Sequence, residues 1–493
     1  MNSSSKSQSK SWPKPKHFDA NLIVIGAGSA GLVSAYIAAA VQAKVILIEK
    51  HKMGGDCLNY GCVPSKALIR SAKYQHQINN SKKYGFKRAE AEFDFADVMN
   101  RIQGVIQKIE PNDSVERYTS LGVEVIEGDG ELTSPYSVLV NGKTITARSI
   151  IIATGARPFV PPIKGVDQIG YLTSDNLWDL REQPKRLLVL GGGPIGCELA
   201  QSFARLGSEV TMVEMLPRIM IREDEEVSDH IAKRFTREGV KLLTSHKATE
   251  FLNNDDDSHT LICDHNGAEV RIEFDKVLIA VGRAARLDGF GLEKLDIPVS
   301  KRRTVEVNDF LQAGYPSVYA CGDIAGPYQF THVASHQAWF ATVNALFGTF
   351  KKFKVDYSIV PWATFTDPEV ARVGLNKQEA DERKVAYEIT GYQLDDLDRA
   401  IAEGEDSGFI EVLTVPGKDK IIGVTIMGSH AGELIAEFVF AMRHNLGMNK
   451  ILATIHIYPT RMEAVKFSAG RWKNAQTKTW QLKLLERFHR WRR

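Results

Sequence analysis

Two stretches of the chain share one pattern of apolar and polar positions. Residues 21–50 begin with the apolar run LIVI and end with KVILIE, and an alanine-rich segment lies between these runs. Residues 186–214 repeat this order, from RLLVL to VTMVE. Short apolar runs bounded by glycine predict buried strands, and the longer segment between them predicts a helix. The sequence therefore predicts two strand–helix–strand units.

Both units carry the same glycine spacing at the turn between the first strand and the helix. The first glycine permits a tight turn, the second lets backbone approach a pyrophosphate, and the third lets the helix pack against the strand. Glu49 and Glu214 end the second strands, where a carboxylate can accept hydrogen bonds from ribose hydroxyls. Two intact copies predict two bound dinucleotides with electron transfer between them, and the alternative is one site with one degenerate copy. The two motifs are Gly26-x-Gly28-x-x-Gly31 and Gly191-x-Gly193-x-x-Gly196.

Glu214 also bears on the choice of the second nucleotide. A carboxylate at this position accepts from a 2′-hydroxyl and repels a 2′-phosphate, so we expect NADH to be preferred to NADPH. Arg218 and Arg222 lie nearby in sequence and could weaken this preference. The alternative is that both arginines are surface charges near a helix start.

Composition narrows the class of protein. The chain has 493 residues, too many for one hydrophobic core, and its formal net charge of +2 gives no overall attraction to nucleic acid or membrane. Five cysteines do not make a secreted disulfide framework. The first 17 residues lack the apolar segment of a secretion signal, and no run of eighteen apolar residues follows. We expect a cytoplasmic protein of several domains.

Two of the five cysteines lie close together, in the stretch GGDCLNYGCVPSK. We expect Cys57 and Cys62 at a junction between a loop and a helix entered through Pro64, where the helix dipole favours a thiolate. In a reducing compartment such a pair is typical of catalysis. The alternatives are half of a zinc site, for which no second ligand pair lies nearby, and two inert thiols. Buried inert thiols are expected at the other three positions, Cys197, Cys263 and Cys321.

The cysteine segment resembles the active-site segment of the class I pyridine nucleotide–disulfide oxidoreductases. Further segments resemble this family in the same order, and the resemblance runs from about residue 18 to about residue 470. They are ATGARP (153–158), AVGR (280–283), ACGDIAG (320–326), TDPEVARVG (366–374) and YPTRMEA (458–464).

The resemblance implies FAD at the first motif and NAD(P)H at the second. It also implies that Cys62 is the thiolate beside the flavin, that Cys57 meets the substrate, and that Lys66 pairs with Glu198 near the flavin. Asp323 would bind the ribityl chain. The residues expected to contact cofactors are Gly26, Gly28, Ser29, Ala30, Gly31, Glu49, Lys50, Gly55, Lys66, Gly130, Thr154, Gly155, Arg283, Asp323, Gly191, Gly193, Pro194, Ile195, Gly196, Glu214 and Gly282, and no resident metal is expected.

The chain departs from the family at its C-terminal signature, His-Pro-Thr-x-x-Glu, whose His is an acid–base supplied by the partner subunit. Tyr458 stands at the His position, and Glu463 matches the Glu. An unperturbed tyrosine titrates near ~10 and is a poor base at neutral pH. His456, two residues earlier, could substitute for the missing base; the alternative is a structural or surface histidine.

Tyrosine at this position resembles mercuric reductases, in which a soft metal ion is handed to thiolates. The chain lacks their vicinal C-terminal cysteines and their N-terminal CxxC site, however. We therefore expect electrons from NAD(P)H to pass through FAD to the Cys57–Cys62 pair and on to a thiol, disulfide or soft-metal acceptor. Dihydrolipoamide dehydrogenase is one alternative. A membrane-associated redox sensor or scaffold is another.

The expected fold class is α/β, with two Rossmann-like dinucleotide-binding domains and a C-terminal α+β dimerisation domain in a homodimer. The expected parts are an N-terminal arm (1–17), an FAD domain (18–157 and 283–356), an NAD(P) domain (158–282), a dimerisation domain (357–470) and a basic aromatic tail (471–493). We expect a hairpin around residues 416–418 and an amphipathic helix within residues 431–448 that ends before Gly447. We expect the tail's aromatic side chains to pack on the protein body. The alternative is peripheral contact with the inner face of a membrane.

Overall fold

The structure is a computed structural model that describes residues 12–254 and 258–493. Most of the predicted N-terminal arm therefore lies outside the described residues. Trp12, near its end, packs beside the first sheet, and its indole N–H donates to the Tyr315 hydroxyl at 3.3 Å.

Helices in the described residues have the following bounds: α1 Ser29–Ala40, α2 Gly55–Asn59, α3 Cys62–Asn79, α4 Phe95–Ile109, α5 Val115–Ser120, α6 Pro194–Leu206, α7 Glu225–Arg237, α8 Thr331–Phe347, α9 Lys377–Glu382, α10 Asp398–Glu403, α11 Ala431–Arg443, α12 Met448–Ala453, α13 Glu463–Ala475 and α14 Thr479–Arg492.

Strands in the same residues are β1 Ala20–Ile25, β2 Val45–Glu49, β3 Val123–Glu127, β4 Glu131–Ser134, β5 Ser137–Val140, β6 Lys143–Ile152, β7 Ala156–Pro158, β8 Tyr171–Leu172, β9 Arg186–Leu190, β10 Glu209–Val213, β11 Lys241–Leu243, β12 Lys247–Asn253, β13 His259–His265, β14 Ala268–Phe274, β15 Lys276–Ile279, β16 Arg283–Ala285, β17 Val318–Ala320, β18 Pro361–Thr364, β19 Glu369–Gly374, β20 Glu388–Gln393, β21 Phe409–Thr414 and β22 Ile421–Gly428.

The first sheet has the order β3-β2-β1-β6-β5-β4, and β17 also pairs with β6. Strands β3, β2, β1, β6 and β17 are parallel, so both faces are covered and the strands are apolar throughout. Leu22 and Val24 of β1 pack with α1 and α8 on one face. Ile23 and Ile25 point to the other face, against the β4–β5 hairpin and residues 285–325.

The second unit forms a parallel sheet of order β11-β10-β9-β15-β8. An antiparallel sheet, β12-β13-β14, adjoins it and holds Cys263 in its middle strand. A two-stranded ribbon pairs Ala156 with Ala285 and Pro158 with Arg283, at the two points where the chain leaves and re-enters the first unit. The second unit is therefore inserted into the first.

The C-terminal domain is an antiparallel sheet of order β18-β19-β22-β21-β20, with α11 and α13 packed against it. The predicted hairpin is present as β21 and β22. The predicted fold class, two Rossmann-like units and a C-terminal α+β domain, is confirmed.

The helix predicted within residues 431–448 is present as α11, and it ends before Gly447 as expected, at Arg443. Asn445 takes a positive φ of 54°, and the Leu446 N–H donates to the Ala441 carbonyl oxygen. Gly447 immediately precedes α12, so it separates the two helices.

The tail also differs from its prediction. Trp472 on α13 is buried, as expected for packing on the body, but every residue from Thr477 to Arg493 is exposed. The expectation that the later aromatics pack on this chain was wrong. No helix of the described ranges is both long enough and apolar enough to cross a bilayer.

Candidate active site

One cavity of about 1110 Å³ joins the three parts of the chain. Its walls include the first glycine turn, the cysteine segment, the start of α6 and part of α11. The cavity therefore brings the first nucleotide motif, both cysteines and the entry to the second unit together. The predicted site residues that line it are Gly26, Gly28, Ser29, Ala30, Glu49, Lys50, Gly55, Cys57, Cys62, Lys66, Gly130, Thr154, Gly155, Pro194, Ile195, Glu198, Arg283 and Asp323.

The other predicted residues lie outside the cavity wall. Gly31 packs inside α1, and His456, Tyr458 and Glu463 lie on the C-terminal domain. The remaining ones surround the turn and strand ends of the second unit: Gly191, Gly193, Gly196, Glu214 and Gly282.

The first glycine turn has no room for side chains where the chain passes closest to itself. A Cβ atom added to Gly31 would overlap the Gly26 carbonyl oxygen, and one added to Gly55 would lie 2.6 Å from the Gly28 Cα atom. Gly26 also has a φ of +100°, a conformation that favours glycine. The start of α1 is therefore bare backbone at the cavity wall, which fits the pyrophosphate of a dinucleotide such as FAD.

Glu49 is the last residue of β2, and Glu214 directly follows β10, so the two carboxylates have equivalent positions in the two units. Each carboxylate accepts from the backbone N–H of the residue after the first glycine: Ala27 donates to Glu49 Oε2 at 2.6 Å, and Gly192 donates to Glu214 Oε2 at 2.7 Å. Leu216 N–H donates to the second Glu214 oxygen at 2.8 Å. Both carboxylates are fixed beside a glycine turn, where a nucleotide ribose would lie.

The Arg218 side chain forms its hydrogen bonds with groups outside this turn. Its guanidinium donates to the Glu223 carbonyl oxygen at 2.6 Å, the Ser228 hydroxyl at 2.7 Å and the Gln378 side-chain oxygen at 2.6 Å. It therefore ties the loop after β10 to the C-terminal domain. Arg222 is exposed.

The two cysteines lie on consecutive helices. Cys57 is in α2, a short helix formed by the segment that was expected to be a loop, and Cys62 is the first residue of α3. Both thiols are free, and Cys62 Sγ lies 3.4 Å from the Thr331 hydroxyl oxygen at the start of α8. Both line the cavity, so an acceptor in the cavity could reach the pair.

The two thiols differ in acidity. The hydrogen bond from Cys57, with smaller contributions from Thr331 and the Lys66 cation, lowers the pKa of Cys62 to about 6. The same thiol–thiol hydrogen bond and burial raise the pKa of Cys57 well above its ordinary value. At neutral pH Cys62 is therefore the thiolate and Cys57 the thiol.

The predicted pair of Lys66 and Glu198 is present, with Nζ 2.8 Å from Oε2. Glu198 is buried, and its other oxygen accepts from the Phe365 backbone N–H at 2.9 Å. The Lys66 ammonium lies 4.4 Å from the centre of the Phe365 ring. Lys66 therefore presents a fixed positive charge to the cavity.

A second charged group lies farther along the cavity. The Arg283 guanidinium is 3.2 Å from a carboxylate oxygen of Asp56 and 3.7 Å from one of Asp323. Burial raises the pKa of Asp323, and the Arg283 charge opposes that rise. Asp323 could accept hydrogen bonds from the hydroxyls of a ribityl chain.

The sequence did not single out Thr331, Phe365 or Asp56. Thr331 and Phe365 touch their partners across 269 and 167 positions of the chain. Their residue types carry no motif, so only the fold reveals them. Asp56 lies inside the cysteine segment, and its acidic side chain next to Cys57 is the sequence feature that could have identified it.

Tyr458 is 67% exposed, and its hydroxyl donates to Asp398 Oδ2 at 2.9 Å. This hydrogen bond to a carboxylate raises the pKa of Tyr458. Glu463 is buried, and its Oε2 accepts from the Thr460 N–H at 3.3 Å. Neither side chain reaches the cysteines of its own chain.

His456 does not share the surroundings of Tyr458. Its imidazole is 5% exposed, with Nε2 3.0 Å from Glu437 Oε2 and Nδ1 3.1 Å from the Thr454 carbonyl oxygen. Both ring nitrogens therefore face acceptor oxygens. These contacts hold the ring within the C-terminal domain.

Sequence comparison places these features in a known family. The family described as "Pyridine nucleotide-disulphide oxidoreductase" matches residues 20–338, and its dimerisation domain matches residues 360–469. The chain belongs to this family. It is therefore an oxidoreductase that uses FAD and NAD(P)H.

Several members of the family are similar over most of their length. A mercuric reductase of Bacillus cereus is 33% identical over 92% of this chain and 71% of its own. A dihydrolipoyl dehydrogenase of Thermus scotoductus is 35% identical over 91% of this chain and 96% of its own. The solved "HOCl-induced flavoprotein disulfide reductase RclA from Escherichia coli" has a TM-score of 0.82 and 26% identity, over 91% and 99% of the two chains.

A second structure of RclA, described as a Cu(II) complex, has a TM-score of 0.82 and 25% identity, over 92% of this chain and 99% of that one. The match to the family's dimerisation domain supports a homodimer.

Within residues 12–254 and 258–493, no group of three or more His, Cys, Asp or Glu side chains is placed to hold a metal ion.

Proposed function

We propose that this flavoprotein reduces a soft metal ion with electrons from NADH, by way of FAD and the Cys57–Cys62 pair. The observation that carries the proposal is the combination of an open thiol–thiolate pair with a C-terminal signature that offers no base. Such a pair binds soft metals well, and the missing base disfavours dithiol substrates.

The residues that line the cavity would hold FAD, which would supply two-electron transfer between NAD(P)H and the cysteine pair. The Lys66 ammonium would stabilise negative charge on the reduced cofactor. Glu198 fixes the lysine, and Thr331 donates a hydrogen bond to the Cys62 thiolate. Reduction of the cysteine pair balances as disulfide + NAD(P)H + H⁺ → two thiols + NAD(P)⁺.

Reduction of a metal ion does not need a general base, whereas oxidation of a dithiol does. Two soft sulfur ligands capture it, and they release protons to water on binding. For a divalent ion the reaction is M²⁺ + NAD(P)H → M⁰ + NAD(P)⁺ + H⁺, and for copper it is 2 Cu²⁺ + NAD(P)H → 2 Cu⁺ + NAD(P)⁺ + H⁺. The mercuric reductases among the relatives support the first, and the copper-bound structural neighbour supports the second.

Dihydrolipoamide dehydrogenase is the second candidate, favoured by the relatives of that name. It would need a base near Cys57. Tyr458 keeps its proton because its pKa is raised by Asp398, and the ring nitrogens of His456 contact Glu437 and Thr454 within the C-terminal domain. Dihydrolipoamide turnover should therefore be slow.

We further propose that the enzyme works in the cytoplasm, since five cysteines in 493 residues do not make the disulfide framework of a secreted protein. NADH is the proposed donor. Glu214 supports this choice, and Arg218, one of the two arginines that could attract a 2′-phosphate, instead donates hydrogen bonds to Glu223, Ser228 and Gln378.

The test is anaerobic turnover of the FAD-loaded enzyme with NADH and either Hg²⁺ in excess thiol or Cu²⁺ without added thiol, beside NAD⁺ and dihydrolipoamide. We expect metal-dependent NADH oxidation, its loss in Cys57→Ser and Cys62→Ser, and its retention in the control Cys263→Ala, which alters a thiol outside the cavity. Tyr458→His should raise dihydrolipoamide turnover by roughly 100-fold, the range of a positioned acid–base. Faster turnover of dihydrolipoamide than of either metal ion by the unaltered enzyme would contradict the proposal.

A further inference from the structure

The C-terminal helix α14 projects from the dimerisation domain without support from it. The helix follows α13 after the three residues Gln476–Lys478, and the Gln481 side chain accepts from the Lys478 N–H at its start. All of its residues are exposed, including Trp480 at 61% and Trp491 at 81%. It lies beyond residue 469, where the family's dimerisation domain ends.

The apolar side chains of α14 fall largely on one face. Trp480, Leu484, Phe488 and Trp491 are spaced by four, four and three residues, which places them in line along a helix. The rings of Phe488 and Trp491 are 6.3 Å apart, as neighbours on one face should be. Leu482 lies on the opposite side of the helix.

Basic residues border this apolar face. Lys483, Arg487 and Arg490 follow one edge of it, and Arg492 lies at the other edge, with its guanidinium 5.7 Å from the centre of the Phe488 ring. Glu486 is the one acidic residue of the helix and pairs with Arg490. The helix is therefore strongly cationic, although the whole chain is nearly neutral.

We infer that α14 binds the surface of an anionic lipid bilayer, with its apolar face at the boundary between headgroups and acyl chains. Cationic borders complement anionic headgroups, and tryptophans at both ends of the face suit the interfacial zone. A helix of 14 residues is marginally stable alone in water, and burial of its apolar face would stabilise it. This surface is separate from the redox cavity, so the inference goes beyond the proposed function.

The test is co-sedimentation of the full FAD-loaded chain with phosphatidylcholine vesicles and with vesicles containing phosphatidylglycerol. We expect binding to the anionic vesicles only, weakened by salt. Leu484→Glu should lower the partition coefficient at least ~tenfold because it puts a charge in the buried face. The matched control Leu482→Glu, on the opposite side, should bind nearly as well as the unaltered chain. Arg487→Gln should weaken binding by roughly fivefold.

Three results would overturn the inference: no sedimentation with anionic vesicles, equal binding to both kinds of vesicle, or equal losses in Leu484→Glu and Leu482→Glu. Light scattering provides a further check. If Leu484→Glu converts the homodimer to a monomer, the face is covered by the partner subunit and not by lipid. NADH oxidation by Leu484→Glu with the chosen acceptor should stay unchanged, which separates this surface from the active site.

Discussion

Cys57 and Cys62 have the same side chain, but their positions give the two thiols different pKa values. Cys62 begins a long helix and contacts a hydroxyl, whereas Cys57 sits in a short helix and donates to its neighbour. Hydrogen bonds to the charged form lower a pKa, and donation to a neighbour raises it. At neutral pH the pair therefore consists of one thiol, Cys57, and one thiolate, Cys62.

The Cys62 pKa of about 6 makes a pH prediction. Its thiolate should predominate above that pH and be lost on acidification through it, because the folded value lies below the ordinary thiol value. Burial raises the pKa of Cys197, Cys263 and Cys321, so these thiols are silent in this range. Ultraviolet thiolate absorbance of the reduced protein against pH measures the midpoint.

Thr331→Val should move this midpoint upward, because it removes a hydrogen bond to the thiolate. Thr342→Val is the matched control: it is on the same helix, and the buried Thr342 hydroxyl has no hydrogen-bond partner among the described residues. An unchanged midpoint in Thr331→Val, or an equal rise in both variants, would show that Thr331 does not stabilise the thiolate.

At the scale of elements, the two strand–helix–strand units share a hydrogen bond that the glycine spacing does not specify. In both, the acidic residue after the second strand accepts from the residue after the first glycine. The strand, turn and helix could be predicted because apolar runs and glycine spacing are local. The end of α11 before Gly447 could also be predicted, but its exact last residue, Arg443, could not, since Gly447 directly precedes α12 and does not specify where α11 stops.

Glu214→Gln should reduce the preference for NADH over NADPH about tenfold, by removing the charge that repels a 2′-phosphate. The ratio of kcat/KM for the two nucleotides measures it. Glu209→Gln, at the exposed opposite end of β10, changes the same charge away from the turn and should leave the ratio unchanged. A ratio unaffected by Glu214→Gln would place nucleotide selection elsewhere.

At the scale of the whole molecule, the exposed residues around Tyr458 indicate where the second subunit lies. Ile455 is 92% and Ile457 78% exposed on a segment of the dimerisation domain. Single exposed apolar residues are common, but a run of them on a family dimerisation domain indicates an interface. The resemblance implies that the partner subunit supplies the residue at position 458, and this stays a prediction.

Ile457→Asp should weaken the homodimer by roughly 100-fold or more, since it buries a charge in the interface. The resulting monomer should keep its flavin and still be reduced by NADH, but acceptor turnover should fall. Light scattering and single-turnover reduction give the two readouts. Phe350→Asp, as exposed but outside the dimerisation domain, should remain dimeric. Dimers in both variants would place the interface on another surface.

The insertion of the second unit into the first has a consequence for synthesis. Strand β17 and helix α8, which complete the first sheet and cover α1, are translated only after the entire second unit. Until they emerge from the ribosome, β6 exposes an unpaired apolar edge, the kind of edge that aggregates. The inserted unit can fold first, because all of its strands are contiguous in the chain. The nascent protein therefore acquires its second unit before its first unit can close.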